Sequence, residues 1–474
     1  MTSRGELSDR LAASKQIILV AVAMIGFGGL TARADPPAMP GETATLTPRI
    51  QQSDLAGMSV KEMIEHGRRI FSTPFTVVDG LGDGPMDPGD PTSFGGRPSI
   101  DDNGVFLRIN GLDSQTCNEC HSIVSNAERP PLLGIGGVGG VSTNAFFKVT
   151  GVDVADTRNN GFAEVDEGRF INPLFLFGSG GVEALGKEMT RELQALEQQA
   201  MDHPDTVVPL VTKGVSFGVL SYDGIDFDYS AVEGVDHDLV MKPFGRKGEF
   251  ATVRGFDVDA LQFHLGMQAV ERVGQDVDAD GDGVVNEITV GELSVLHVHN
   301  VTLPQPTRFL KTEPAREGQQ LFLDLGCAGC HRPELRTESR YLPVAFPEID
   351  TDPTQNVYLE IDLAKTLARS RRHRSDGLPV PLYSDLKRHD MGPGLAESAG
   401  FDLDPLFITA RLWGVADTAP YLHDGRATTL TEAILYHGGE AQQARDNFDA
   451  LTDPDRIEVL EFLRSLQTPR SAAQ

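Results

Sequence analysis

Two copies of the pattern C-x-x-C-H constrain this chain more than any other feature. They read Cys117-Asn118-Glu119-Cys120-His121 and Cys327-Ala328-Gly329-Cys330-His331, and together they use all four cysteines. Two thiols two residues apart can form thioethers with both vinyl groups of one haem, and the next residue places an imidazole beneath the iron. Disulfides or a zinc site would also use cysteines, but neither requires a histidine after each pair. The chain is therefore predicted to carry two covalent haem c groups, with His121 and His331 as iron ligands.

Each motif has a similar sequence before it. His66-Gly67-Arg68-Arg69-Ile70-Phe71 and Gly318-Gln319-Gln320-Leu321-Phe322 share the pattern G-x-x-[LI]-F. The pattern predicts a helix that packs its phenylalanine near a haem edge. The first copy is separated from its motif by a glycine-, proline- and aspartate-rich insertion, residues 79–104. We predict a mostly α fold with two cytochrome c-like haem domains and long loops, over residues 35–305 and 306–474.

The amino terminus has the pattern of a cleaved signal peptide, residues 1–34. Basic residues precede the apolar run Ile17–Leu30, and Ala32-Arg33-Ala34 matches an A-x-A cleavage site. The run is shorter than the ~20 residues that span a bilayer. The sequence therefore predicts export to the periplasm or secretion, with no membrane attachment after cleavage.

The composition is strongly acidic, with a formal net charge of -28. Such a surface argues against binding to nucleic acid or to anionic membranes. It suits a basic redox partner, although solubility alone would also explain most of the charge.

The last third of the chain resembles a known family. The residues that carry the resemblance are Arg411-Leu412-Trp413-Gly414, Thr418-Ala419-Pro420-Tyr421-Leu422-His423-Asp424-Gly425-Arg426 and His437-Gly438-Gly439-Glu440-Ala441. They are similar to the di-haem oxidoreductase family, a branch of the bacterial di-haem cytochrome c peroxidases and of the di-haem enzymes that mature methylamine dehydrogenase.

The resemblance implies a peroxidase whose amino-terminal haem reacts with hydrogen peroxide. Its carboxy-terminal haem would relay electrons from a small redox protein, and such enzymes are often homodimers. Two other functions stay open: a non-catalytic electron-transfer cytochrome, and a di-haem oxidase or oxygenase that acts on an organic or protein substrate.

The resemblance also suggests a sixth ligand for the second haem. In the related peroxidases a methionine lies fourteen positions after the histidine of Y-[FL]-H-D-G, and the matching residue here is His437. The run Thr429-Leu430-Thr431-Glu432 predicts a capped helix that ends just before His437. Met391 is the alternative ligand. Two histidine ligands would lower the potential of this haem relative to a histidine and a methionine.

Two predictions concern the distal side of the first haem. Glu183 lies in a V-E-A-L segment that resembles the family's L-E-A-I, which makes it the candidate acid/base for cleavage of peroxide, with Glu188 as second choice. The sixth position of this haem is either open or filled by His264 or Met267.

An acidic segment between residues 276 and 287 predicts a calcium site. Carboxylates at alternate positions of a glycine-containing loop can turn towards one hard cation. The loop can be read from Asp276, with Gly281 at position six, or from Asp278, with Gly283 at position six. The predicted ligands are Asp276, Asp278, Asp280, Asp282 and Glu287.

Overall fold

The computed structural model describes most of the chain from residue 43 onward. The described residues are 43–82, 106–108, 115–121, 152–155, 168–170, 172–306, 312–345, 358–366, 377–399 and 402–469. The predicted signal peptide, residues 1–34, lies outside these ranges. The residues from Gly41 to the carboxyl terminus form one compact unit. No helix in the ranges given is long and apolar enough to cross a membrane.

The described helices fall into two series of similar order. The first series is α1 (Val60–Ser72), α2 (Cys117–Cys120), α3 (Ser179–Asp202), α4 (Val253–Leu265), α5 (Val270–Val273) and α6 (Val290–Val301). The second series is α7 (Glu313–Asp324), α8 (Leu363–Thr366), α9 (Leu430–Leu435), α10 (Gln442–Asp449) and α11 (Asp453–Arg464). We call residues 60–301 the first half and residues 313–464 the second half.

The strands are short and form small antiparallel sheets. In the first half these are β1 (Phe106–Arg108), β2 (Val152–Ala155), β3 (Gly168–Phe170), β4 (Val207–Thr212), β5 (Val215–Tyr222) and β6 (Phe227–Asp228). In the second half they are β7 (Leu335–Arg336), β8 (Tyr341–Ala345), β9 (Tyr358–Asp362), β10 (Pro379–Val380), β11 (Arg388–Asp390), β12 (Glu397–Ala399), β13 (Asp402–Asp404) and β14 (Leu406–Ile408). The sheet orders are β1-β2-β3, β4-β5-β6, β7-β10, β8-β9, β11-β14 and β12-β13. The mostly α fold predicted from the sequence is confirmed.

A close helix pair organises each half, and a glycine permits each contact. A Cβ atom on Gly67 of α1 would lie 2.0 Å from the Val295 carbonyl oxygen of α6. One on Gly318 of α7 would lie 1.8 Å from the Glu458 carbonyl oxygen of α11. Because neither position has room for a side chain, the glycine of the G-x-x-[LI]-F pattern brings two helix backbones together in both halves.

Two hydrophobic cores lie against the two motifs. Phe71 and half-buried Cys117 belong to the larger core, which also includes apolar residues between 335 and 386. Phe322 and half-buried Cys327 belong to the smaller core, with Phe448 and Phe462. Segments after residue 306 thus complete the core of the first half, and the predicted domain boundary stays a prediction.

Candidate di-haem site

Each C-x-x-C-H motif places its histidine in a similar environment. The ring centroids of Phe71 and His121 are 6.2 Å apart, and those of Phe322 and His331 are 6.4 Å apart. His331 Nδ1 lies 3.1 Å from the Tyr383 carbonyl oxygen. His121 likewise hydrogen-bonds to the carbonyl group of Leu174. Such a bond fixes the tautomer of a histidine and leaves its other nitrogen available to a metal.

The electrostatic environment keeps both imidazoles neutral. Burial, and then the charge of His264, lowers the pKa of His121 to about 4. Burial, and then the charge of His437, lowers the pKa of His331 to about 4. A neutral imidazole is the form that binds a metal ion. Both predicted proximal ligands therefore have the required protonation state near neutral pH.

One cavity connects the two motifs. It has a volume of about 660 Å³ and is lined by both motif histidines, by the apolar stretch Asn172–Phe177 and by residues 407–423. None of the four cysteines is in a disulfide. Cys327 and Cys330 line the cavity, and the first motif contributes Asn118 and His121. A shared, mostly apolar cavity that reaches both motifs fits two porphyrins close to one another.

His437 faces His331 across this cavity. Their ring centroids are 6.3 Å apart. Since an imidazole nitrogen binds a transition metal at about 2.0–2.1 Å, two imidazoles on opposite sides of one metal have centroids roughly 6.3 Å apart. His437 Nδ1 donates to the Ala433 carbonyl oxygen at 2.8 Å, which leaves its Nε2 for a metal. Met391 also lines the cavity, but the ring separation favours His437.

The predicted helix before His437 is confirmed. The Thr429 side chain accepts the Glu432 N–H at the start of α9, and the Glu432 carboxylate accepts the Thr429 backbone N–H. The helix ends at Leu435 with Tyr436 as its cap. This short capped helix delivers His437 to the cavity wall.

A buried cation was not assigned a role from the sequence. Arg411 lines the cavity and donates to the carbonyl oxygens of Pro243 and Phe175, at 3.2 and 3.0 Å. Within the described ranges no carboxylate pairs with it, and burial lowers its pKa to about 10. A charged guanidinium without an anion is costly to bury. A haem propionate would supply that anion. Arg411 lies in the family-like R-L-W-G motif, and this motif could have identified it as a candidate haem-binding residue.

Glu183 occupies an environment unlike that of a proton donor. The carboxylate is fully buried, and its Oε2 accepts the Val253 N–H at 2.9 Å and lies 3.2 Å from His297 Nε2. Lys187 Nζ lies 2.7 Å from its Oε1. Burial opposes the charge, but His297 and then Lys187 lower the pKa of Glu183 to about 2. Among the described residues Glu183 is not part of the cavity wall. Its position does not support the acid/base role predicted from the sequence.

Glu188, the second choice, is also occupied elsewhere. It accepts the backbone N–H groups of Glu338 and Ser339 and forms an ion pair of 2.9 Å with Lys213. Glu188 therefore connects the first half to the second half, and among the described residues it does not line the cavity.

Three other residues were considered for the first haem. His264 lies in the last turn of α4, and its charge lowers the pKa of His121. Met267 is fully buried in the larger core. His299 of α6 lines the cavity and packs on Phe71 with centroids 5.6 Å apart. Burial, and then the charge of Arg68, lowers the pKa of His299 to about 4.

A buried charged network borders the second motif. His389 lies between two carboxylates, with Nε2 2.9 Å from Asp385 Oδ2 and Nδ1 2.7 Å from Glu440 Oε2. Burial opposes the charge, but Asp385, the Cys330 sulfur and Glu440 raise the pKa of His389 to about 11. Both ring nitrogens thus have carboxylate partners, and a ligand atom of His389 lies within 4.8 Å of those of Cys330 and Asp385. Its carboxylate partners are 4 and 51 residues away in the sequence. No repeating sequence pattern would have predicted both contacts.

The acidic loop follows the second of the two alternative frames. Oxygens of Asp278, Asp280 and Asp282 lie within 4.8 Å of one another. Asp276 lies outside this cluster and instead exchanges hydrogen bonds of 2.8 Å with Asn286. The loop therefore starts at Asp278 with Gly283 at position six, where its φ of +89° suits glycine.

Glu287 is buried beside this cluster. It is 1% exposed, its Oε2 accepts the Gln268 N–H at 2.6 Å, and its Oε1 has no hydrogen-bond partner in the described part of the chain. Burial, and then the charges of Asp280 and Asp282, raises the pKa of Glu287 to about 9, against the bond from Gln268. The pKa of Asp280 is raised to about 6 by burial and then by Asp282.

Comparisons with known proteins give a family match over the last part of the chain. Residues 375–466 match the family model described as "Di-haem oxidoreductase, putative peroxidase". This segment contains Arg411, His423 and His437. The family resemblance read from the sequence is therefore confirmed over the last part of the chain, and the protein is a relative of haem-dependent oxidoreductases.

Individual relatives are distant. A cytochrome-c peroxidase, IdrP2, of Denitromonas iodatirespirans is 25% identical over 167 residues, which cover 34% of this chain and 42% of that protein. The match thus spans less than half of the relative's length. A solved hydrazine synthase of Kuenenia stuttgartiensis is 21% identical over 37% of this chain and 55% of that chain, with a TM-score of 0.24. A MauG-like protein associated with microbial copper homeostasis is 15% identical over 50% of this chain and 75% of that chain, with a TM-score of 0.26.

Proposed function

We propose that this protein is an exported di-haem c-type oxidoreductase that reduces hydrogen peroxide. The observation that carries the proposal is the single cavity lined by both C-x-x-C-H motifs. Electrons from a small redox protein would enter at the second haem, between His331 and His437, and pass to the first haem above His121. The family match and the distant cytochrome-c peroxidase relative support the same reaction.

The residues at the cavity fit covalent haem. Burial raises the pKa of the Cys117 thiol, and it raises that of Cys327 to about 11. His121 and His331 offer neutral imidazoles, and Arg411 would bind a propionate. When bound, haem supplies an iron centre that accepts and donates single electrons and binds small oxidants.

The protein's own groups must position peroxide and supply protons. Reduction of peroxide cleaves the O–O bond, takes up two electrons and two protons, and releases two water molecules. A side chain that transfers a proton between the two oxygens assists this cleavage. Neither Glu183 nor His264 lines the cavity among the described residues. We assign that role to His264, because its charge acts on His121, whereas Glu183 is held by Lys187 and His297. Glu183 would instead fix the start of α4, the helix that carries His264.

His264 also supports a second candidate function. α4 precedes α5 and α6 just as α9 precedes α10 and α11, with His264 in the last turn of α4 and His437 two residues after the end of α9. Each lowers the pKa of the motif histidine in its own half. If His264 binds the first iron in every redox state, the protein is an electron-transfer cytochrome with two closed haems.

Spectroscopy of the haem-loaded protein separates the two functions. We would record electronic absorption and EPR spectra of the ferric and half-reduced forms, with and without peroxide. A peroxidase shows a high-spin first haem in the half-reduced form that reacts with peroxide and turns over with a reduced c-type donor. Two low-spin haems that do not react with peroxide in either the ferric or the half-reduced form would contradict the proposal.

Two matched variants assign the haems in that experiment. His437→Met should raise the potential of the second haem by on the order of 0.1 V, part of the about 0.8 V span set by axial ligands. His264→Gln should leave the second haem unchanged, keep the first haem high-spin and slow peroxide turnover about 10²-fold or more. Equal turnover in wild-type protein and His264→Gln would remove His264 from the mechanism.

A further inference from the structure

The acidic loop between α5 and α6 has the features of a cation site. Three aspartates converge, and loop backbone N–H groups satisfy only part of their oxygens: Asp278 accepts Gly281 N–H at 2.7 Å and Gly283 N–H at 3.1 Å. Asp280 Oδ2 is buried and without a hydrogen-bond partner among the described residues. No lysine, arginine or histidine in the described part of the chain forms an ion pair with these three aspartates.

Glu287 supplies an independent observation. Its side chain is almost fully buried, and its Oε1 lacks a partner within the described residues. Gln268 links it to the aspartate loop, because Gln268 donates its backbone N–H to Glu287 and accepts the Ala279 N–H. A buried carboxylate without a partner costs folding free energy unless a cation or a proton neutralises it. Three converging aspartates with this buried carboxylate linked to their loop are best explained by a bound divalent cation.

The ligand set selects calcium among common divalent cations. All candidate ligands are oxygens, which suit calcium or magnesium rather than zinc or copper. The loop alternates Asp278, Asp280 and Asp282, has glycine at position six, and offers the Val284 carbonyl group at position seven, as calcium loops do. A flexible loop with several carboxylates favours calcium, because magnesium requires a small octahedral site and keeps several waters.

The site is connected to both helices beside the first haem. Gln268, four residues after His264, donates its backbone N–H to Glu287, and its side chain accepts the Ala279 N–H at 3.1 Å. After Glu287 the chain forms a parallel bridge from Ile288 to Ala269 and enters α6 at Thr289.

A second clamp fixes the other end of the loop. Arg49 donates to the carbonyl oxygens of Asn286 and Glu287 and pairs with Glu292 at 2.7 Å. Gly80 lies so close to Glu287 that a Cβ there would be 2.2 Å from the glutamate Cγ. The position of the Glu287 side chain is thus set from several directions.

We propose that Asp278, Asp280, Asp282 and Glu287 bind one calcium ion that holds the carboxyl end of α4 against the start of α6. The ion would thereby position His264 beside the first haem. The second part of this inference depends on the proposed function, whereas calcium binding itself does not.

The test uses full-length haem-loaded protein that has been treated with chelator and titrated with calcium by calorimetry. Wild-type protein should bind one calcium, and a similar concentration of magnesium should not compete. Asp280→Asn should weaken calcium binding at least tenfold. Asp276→Asn is the matched control, because it makes the same charge change in the same loop outside the cluster, and its affinity should stay within about twofold of wild type.

The variant Glu287→Gln tests the site by the direction in which thermal stability changes with and without calcium. Without calcium this variant should be at least as stable to heat as wild-type protein, since it removes an unpartnered buried carboxylate. With calcium, wild-type protein and Asp276→Asn should gain melting temperature, and Glu287→Gln should gain little. Absence of calcium binding, equal binding by Asp280→Asn and wild type, or equal competition by magnesium would each overturn the site.

The spin state of the first haem tests the link to α4. Removal of calcium should change the spectrum of the first haem in wild-type protein and leave the second haem unchanged. Calcium binding without this spectral change would refute the positioning role alone. Calcium binding by a protein that fails to reduce peroxide would refute the proposed function alone.

Discussion

The two halves solve the same packing problem with different residues. In both, a glycine permits close contact between two helices, and a phenylalanine one turn later lies about as far from the motif histidine, 6.2 Å in the first half and 6.4 Å in the second. In both, a histidine at or just after the end of a helix acts on the motif histidine: His264 in the last turn of α4, and His437 two residues after α9. The shared parts are those that attach and orient a haem.

The differences lie in what surrounds these shared parts. Three residues connect α10 to α11, whereas the acidic loop occupies the corresponding place between α5 and α6. The long helix α3, with buried Glu183, has no counterpart among the described residues of the second half. The described part of the second half is therefore the simpler of the two, and the first half carries added elements that hold its own α4 and α6 in place.

The largest expected effect comes from removing one attachment site at a time. Cys117→Ser with Cys120→Ser should leave one haem by mass spectrometry and abolish peroxide turnover, while the second haem still accepts electrons. Cys327→Ser with Cys330→Ser should also leave one haem, and should block reduction by an external donor. If either double variant retained two covalent haems, the assignment of the motifs would be wrong.

A large stability effect is expected at Glu183, which only the first half has. Its folded pKa of about 2 is below the ordinary value of 4.5, so it stabilises the folded protein above pH ~4.5 and this contribution is lost as the pH falls through about 2. The difference corresponds to roughly 3 kcal/mol at pH 7. Glu183→Gln should lose about this much by denaturant unfolding at pH 7, and less as the pH falls below 4.5.

Asp202→Asn is the control for this measurement, because it changes one exposed carboxylate of the same helix. Its unfolding free energy should stay within about 0.5 kcal/mol of wild type at every pH. A Glu183→Gln variant with wild-type stability at pH 7 would show that the contacts to Lys187 and His297 contribute nothing.

The two packing glycines should behave alike, which tests the equivalence of the halves. Gly67→Ala and Gly318→Ala each place a methyl group against a backbone carbonyl oxygen at 2.0 or 1.8 Å. Each should destabilise the protein by about 1–3 kcal/mol, even though alanine favours a helix. Gly57→Ala is the control, because nothing lies within 4 Å of that position. A large effect in only one half would mean that the two helix pairs are not equivalent.

The sequence was informative where chemistry demands a fixed spacing. The C-x-x-C-H motifs, the glycine of the helix pairs and the cap at Thr429 depend on neighbours within a few residues, and the structure shows each pattern in its expected setting. The setting of Glu183 could not be predicted, because its partners, His297 and Val253, are 114 and 70 residues away. The V-E-A-L pattern does not predict whether the Glu183 carboxylate faces a cavity or pairs with a lysine.

Long-range contacts also determine which residues of the acidic loop converge. Both frames were compatible with the spacing of its carboxylates. The choice depended on Asn286, which binds Asp276, and on Gln268, which binds Glu287 from outside the loop. Propensity and spacing locate such a loop, but the residues that complete it come from the surrounding fold.

The smallest expected effect concerns His299 of the first helix pair, which takes the place of a phenylalanine, Phe462, in the second. Gly67 lies against Val295 and Gly318 lies against Glu458, so His299 corresponds to Phe462, four residues further along each helix. Both rings pack on the phenylalanine of the preceding pattern, at 5.6 Å and 5.1 Å. Because His299 is neutral above pH ~4 and its Nδ1 has no partner among the described residues, His299→Phe removes neither a charge nor a described hydrogen bond.

His299→Phe should therefore change the unfolding free energy by less than about 1.5 kcal/mol. The reverse exchange, Phe462→His, puts a polar ring into a fully buried apolar site and should cost about 1–3 kcal/mol. Chemical denaturation of both haem-loaded variants measures this asymmetry. If His299→Phe costs as much as Phe462→His, the imidazole has a structural role of its own, and the first helix pair is more than a copy of the second.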